Sequence, residues 1–193
     1  MNNSIKNIAL SVLVCSIGLT SALQAKDLSY NQLDFSVISY DVDDIDVDAT
    51  GITVDLNAEI SEPLYFALTY DLLDFDVTGT LEQTIFGAGI GAHMSLSNTV
   101  DAYGEFQLIK VDLDGGFMSI DDNGHMFEVG LRSMVSDTLE VAGRFKQESA
   151  FDDNVNTFEV KGSLFVDEMI AVGGNLLFGD DYTGLGLGLK LNF

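Results

Sequence analysis

The end of the chain alternates without a break. Leu185, Leu187, Leu189, Leu191 and Phe193 are large and apolar, and Gly184, Gly186, Gly188, Lys190 and Asn192 between them are small or polar. Strict alternation is the period of a β-strand, whose successive side chains point to opposite faces. The same pattern runs through Ile52, Val54, Leu56, Ala58 and Ile60, breaks at Ser61, Glu62 and Pro63, and resumes at once in Leu64, Phe66, Leu68, Tyr70 and Leu72. A connection that short joins antiparallel neighbours in a hairpin.

Three further hairpins share the design. Phe86 to Met94 leads through 95–99 into Val100 to Leu108, Phe127 to Leu131 leads through 135–138 into Leu139 to Phe145, and Phe158 to Leu164 leads through 166–168 into Ile170 to Phe178. With an irregular first strand near Leu28 to Tyr40, the count is ten; eight is the alternative, with Tyr30 to Ala49 as the place where two could be miscounted. The short connections alternate with longer acidic ones at 41–50, 73–83, 112–123 and 148–156, and with a brief one at 179–182. An apolar face on every strand, short turns at one end and long loops at the other are the layout of a barrel whose outside meets lipid. The expected fold is all-β, a closed antiparallel up-and-down transmembrane β-barrel, and the even strand count puts both chain ends on the short-turn side.

The first 25 residues break the pattern. Lys6 is their only charge, Ile8 to Leu19 is nearly all apolar, and small residues follow at Thr20, Ser21, Ala22 and Ala25. That is the build of a secretory signal peptide. Cleavage after Ala25 is preferred over cleavage after Ala22, so residues 1–25 form the leader and 26–193 the barrel domain. Cys15 is read as a bystander in the apolar stretch, because Val14 before it is not the small residue that lipidation requires.

Composition then narrows the functions. After the leader no apolar run approaches the ~18 residues of a membrane helix. Cys15 is the only cysteine, so the mature chain has no disulfide and no thiolate chemistry. A formal charge of −23 argues against nucleic acid as a partner.

Together the leader, the alternating strands, the short turns and the terminal Gly-Leu-Gly-Leu-Lys-Leu-Asn-Phe resemble the small outer-membrane proteins of the porin superfamily, of OmpA or OmpX type. The likeness covers the mature chain in pattern and the last strand in residues. It implies a Gram-negative outer membrane, contact with its lipid and lipopolysaccharide, and biogenesis through periplasmic chaperones and the barrel-assembly machinery. It also implies that Phe193, with Leu185, Leu187, Leu189 and Leu191, forms the assembly signal. The usual members have eight strands, from which the count of ten departs.

Strand parity puts most of the charge inside. Glu105, Glu128, Arg132, Glu140, Arg144, Lys146, Glu159, Lys161 and Lys190 fall on inward positions, as do Asp55 and Glu59. A simple hairpin at 135–138 sets Arg132 opposite Glu140 and Glu128 opposite Arg144, giving a salt-bridged lumen. Inward glycines such as Gly87, Gly89 and Gly91 leave space for Tyr65, Tyr103 or water. A barrel near the small end of the range is plugged or very narrow. Tyr65, Phe86, Phe145, Phe165 and Phe178 near strand ends suit an aromatic girdle.

No catalytic, cofactor or metal site is assigned. Asp41, Asp43, Asp44, Asp46 and Asp48 load the first loop with oxygen ligands that suit Ca²⁺, but without the turn glycine and distal glutamate of a Ca²⁺ loop. Asp112, Asp114, Asp121 and Asp122 load the third loop, and His125 beside it is read as a solvated rim residue. A lipid A deacylase of this size is similar in using a His-x-Ser pair with a distant glutamate, and His93-Met94-Ser95 with Glu105 is the local echo. It lies at the periplasmic end, away from outer-leaflet lipid. The expectation is a monomeric, non-enzymatic barrel for structural or surface interaction, displaying acidic loops over a closed or narrow lumen. A small cation-preferring pore is the alternative, and a lipid A-modifying enzyme a remote one.

Overall fold

The structure is a computed structural model that describes residues 28–42, 47–76, 81–116 and 118–193. The leader, with both cleavage positions, and Asp43, Asp44 and Asp46 lie outside these residues. The described residues form ten strands: β1 (Gln32–Val42), β2 (Val47–Ser61), β3 (Leu64–Phe75), β4 (Leu81–Ser95), β5 (Val100–Asp114), β6 (Ser119–Met134), β7 (Leu139–Ala150), β8 (Asp153–Phe165), β9 (Ile170–Gly179) and β10 (Tyr182–Asn192). Each pairs antiparallel with its neighbours in sequence, and β1 pairs with β10 from Gln32↔Asn192 to Val42↔Tyr182. The barrel is closed, so no strand edge is left open. Ten strands replace the alternative of eight, because β1 and β2 form a full ladder from Gln32↔Asn57 to Val42↔Val47 through the irregular region.

The first strand begins later than expected. Leu28 to Asn31 turn into the mouth at the short-turn end, where Leu28 packs on Met134, Phe165 and Ala171, and Tyr30 packs on Tyr65 and Ala67. The main-chain N–H of Phe193 donates to the Asn31 carbonyl, so the first described residues and the C-terminal residue meet at this mouth.

Strands also run further than their apolar alternation. β3 and β4 stay paired to Phe75↔Leu81, and β5 and β6 to Asp114↔Ser119, deep into segments read as loops. At 148–156 the connection shrinks to Phe151 and Asp152, both at positive φ (54° and 60°), the twist of a tight two-residue hairpin. Ladder hydrogen bonds need a partner strand but no lipid, so pairing continues after the outward residues stop being apolar.

Where they stop, the polarity of the wall inverts. Along the middle of the barrel Leu108, Ile90, Leu185 and Leu187 point outward and charges point inward. Toward the long-loop end the outward positions become Asp41, Asp48, Asp74, Glu82, Asp112, Asp114 and Asp121, on β1 to β6. The inward positions become Ile85, Ile109, Val111 and Met126, a buried cluster with Ala150 against it. The lower region is a lipid-facing belt, and the upper region, here the cuff, is built like a water-soluble barrel.

Phe86, Phe145 and Phe178 face outward where belt meets cuff, and the register aligns Phe145 with Phe158 and Phe158 with Phe178. Two expected girdle residues do not join them: Tyr65 and Phe165 occupy inward positions and are buried. His125 faces outward near the same level, its ring 6.1 Å from that of Phe106.

Candidate functional site

The lumen is the candidate site, and register decides its contacts. The β6–β7 turn closes on Val135 and Leu139, with the Val135 N–H donating to the Leu139 carbonyl, and Ser136 Oγ accepts from the N–H groups of Thr138 and Leu139. That three-residue turn puts Arg132 opposite Ala142, Arg144 opposite Gly130 and Glu128 opposite Lys146. The expected direct pairing of Arg132 with Glu140 and of Glu128 with Arg144 is thus off by two residues. Both contacts form nonetheless as diagonal pairs, because long side chains reach two positions along a neighbouring strand.

Nearest the short-turn end, Arg132 donates from Nε (3.0 Å) and Nη2 (3.2 Å) to the two oxygens of Glu140, and Lys190 Nζ adds a bond of 2.8 Å to Oε1. Arg132 Nη1 donates to the Ser29 carbonyl at 2.9 Å, and its guanidinium lies 4.8 Å from the centre of the Tyr30 ring. The tucked N-terminal segment is therefore held by the lumen charges. All three charged groups are about 4% exposed, which makes each dependent on the others.

The middle layer crosses the lumen. Arg144 on β7 contacts Glu128 (3.1 Å) and Glu159 (2.5 Å) on the flanking strands, and Asp55 (3.5 Å) on β2. In a ring of ten strands β2 and β7 are diametrically opposite, so this contact joins facing walls. Lys161 on β8 reaches Asp34 on β1 at 2.6 Å, and Lys146 lies 3.0 Å from Glu148 and 4.0 Å from Asp71 on β3. Asn175 donates to Glu159 at 2.9 Å. Glu59, also on the inward parity, sits exposed at the short-turn rim.

Glu105 is the exception in the set. It stands directly opposite Glu128, a second carboxylate, and its bonds come from neutral donors, Tyr65 Oη (2.9 Å) and Gln107 Nε2 (3.2 Å). Tyr103 Oη donates to Glu128 at 2.8 Å. Both tyrosines lie across a facing glycine, Tyr65 opposite Gly91 and Tyr103 opposite Gly130. A Cβ at Gly130 would come within 2.6 Å of the Tyr103 ring, and one at Gly91 would overlap Tyr65, so glycine is what lets the rings lie against the wall. Among the described residues the space left between these side chains includes two pockets of about 50 and 20 Å³, room for ordered water.

The nine expected charges all lie in the lumen, gathered around Arg132, Arg144, Lys161 and Lys146 in separate groups rather than in one network. Asp34, Tyr30 and the Ser29 carbonyl were missed. Asp34 carries a readable signal, since it shares parity with Gln32 and Ser36 between Leu33, Phe35 and Val37. Tyr30 carries none, because it precedes the strand and its place depends on a tuck.

The His93, Ser95, Glu105 arrangement does not form. The His93 ring stacks on Tyr30 at 3.8 Å, both its nitrogens lack a hydrogen-bond partner among the described residues, and Ser95 is exposed. Among the described residues no three histidine or acidic groups converge as for a metal ion. Leu185, Leu187, Leu189 and Leu191 on β10 and Phe193 just after it form an exposed apolar line beside the β1 seam.

A closed ten-stranded barrel with an apolar outer belt and a charged interior defines an outer-membrane type of protein. The chain belongs to the outer membrane protein beta-barrel domain family, which matches residues 8–193. Among solved structures it is similar to the NanC porin, at 8% identity and a TM-score of 0.54, covering 83% of this chain and 100% of that one. It is also similar to the KdgM porin in complex with disordered oligogalacturonate, at 7% identity and a TM-score of 0.53, covering 84% and 99%. At such identities the likeness is one of fold. No curated protein matches the chain in sequence.

Proposed function

We propose that this outer-membrane barrel serves structural and surface-interaction roles, with a lumen closed to solutes and an acidic cuff turned to the cell exterior. The observation that carries the reading is the contact of Arg144 with Asp55 across the full width of the barrel, above the Arg132, Glu140 and Lys190 cluster that holds Tyr30 in the mouth. An ion pair between facing walls, its arginine also hydrogen-bonded to both flanking strands, resists separation. In this reading residues 1–25 are removed on export, and the β10 line ending at Phe193 is read during barrel assembly. Outer-membrane lipid and lipopolysaccharide surround the monomer, and no nucleic acid, cofactor or catalysis is involved.

Reconstitution into a planar bilayer tests the closed lumen, and the expected result is no stepwise current. The opposing reading is a narrow cation-preferring pore, favoured by the carboxylates at the outer mouth and by the fold shared with the KdgM and NanC porins. Discrete conductance steps carried by K⁺ over Cl⁻ would establish it instead. For catalysis, strains carrying wild-type protein and Ser95→Ala are expected to give identical lipid A mass spectra.

A further inference from the structure

The cuff is not filled. A cavity of about 380 Å³ opens at its outer end, between β1 to β4 on one side and β7 to β10 on the other. Mouths of β-barrels are common sites for small molecules, and pockets of roughly 300 Å³ and above hold them. The wall here is apolar, with Val42, Leu73, Phe75 and Ile85 on one side. The rings of Tyr40 and Tyr182 meet edge to face at 5.5 Å on another.

The polar lining has one sign. Asp71, Glu148, Asp153, Asp180 and Asp181 contribute carboxylates, and Lys146 alone contributes an ammonium, already 3.0 Å from Glu148. Asp71 lies deepest, 6% exposed, and its Oδ1 is buried with no hydrogen-bond partner among the described residues. Its other oxygen is 4.0 Å from Lys146. Buried acceptors left without a donor are rare in folded proteins and mark places where a ligand or water completes the set.

We propose that the cuff cavity is a binding site for a small organic cation, an amine carrying an apolar or aromatic body. The ammonium donates to Asp71 Oδ1, and the body packs between Leu73 and Phe75 and the two tyrosines. The excess of carboxylates selects against anions, and the apolar wall selects against hydrated metal ions. The inference goes beyond the surface role proposed above and holds whether or not the lumen below conducts.

The test is calorimetric titration of the purified full-length barrel in micelles, with empty micelles as the blank, using phenethylamine, 2-phenylethanol and phenylacetate as probes. Phenethylamine is expected to bind saturably at one site, about tenfold more tightly than the alcohol, with no binding of the acid, because a hydrogen bond between charged groups replaces a neutral one. Asp71→Asn should remove that roughly tenfold preference for the amine over the alcohol. Val155→Trp, at an exposed position lining the mouth, should block both without burdening folding. Heat-modifiable gel mobility reports folding of each variant, and Val155→Trp carries the test alone if Asp71→Asn does not fold. Absence of saturable binding, equal affinity for amine and alcohol, a preference that survives Asp71→Asn, or binding that survives Val155→Trp would each overturn the proposal.

Discussion

The belt and the cuff are made from the same strands with opposite instructions. In the belt Leu187 is 72% exposed on the outside while Glu140 is 3% exposed on the inside. In the cuff the acidic Glu82 is exposed on the outside while Ile109 and Val111 are buried within. β5 carries both arrangements, with Glu105 inside and Phe106 outside low in the strand, and Val111 inside and Asp112 outside near its top. Backbone pairing is indifferent to this reversal. What changes is the surrounding medium, which accepts hydrocarbon in one region and charge in the other.

The largest effect is expected inside the belt. Glu140→Ala removes the carboxylate that Arg132 and Lys190 share and leaves two buried cations, a loss of about 3–5 kcal/mol in unfolding free energy, read by denaturant titration in lipid vesicles. On the outside of the belt, Leu187→Arg should cost about 2–4 kcal/mol, the penalty of an arginine near the bilayer midplane. The matching change in the cuff breaks the symmetry. Glu82 faces Asp74 on one side and Asp114 on the other, so Glu82→Arg should be neutral or stabilising by about 0.2–1 kcal/mol through relieved repulsion. A loss as large as that at Leu187 would place Glu82 in lipid and abolish the distinction between the regions.

Within the lumen the carboxylates are unequal. Glu105→Gln keeps an acceptor for Tyr65 and removes a charge facing Glu128, so stability should hold or rise, in contrast to Glu140→Ala measured in the same assay. A modest effect is also expected at the cuff tip. Asp152→Gly relieves a non-glycine residue at φ 60° and should stabilise by about 1 kcal/mol in the same unfolding assay.

Legibility followed the same boundary. In the belt, apolar alternation named the strands and assigned inward parity to all nine lumen charges, because a residue two positions along a strand must return to the same face. In the cuff the signal failed. Asp112, Asp114 and Asp121 resemble loop residues by composition, yet they sit on the outer wall of continuing strands, since a strand surrounded by water needs no apolar outer face.

What the sequence determined alone was local: the alternation, the short turns, the parity of each side chain and the apolar line ending at Phe193. The tertiary structure decided what lies opposite what. The turn at Ser136 to Thr138 shifted the β6–β7 register by two, closure brought Arg144 to Asp55 across the lumen, and the tuck at Tyr30 filled the mouth. Periodicity follows from the geometry of a single strand, whereas distances across a barrel follow from strand number, tilt and stagger, which exist only once the sheet has closed.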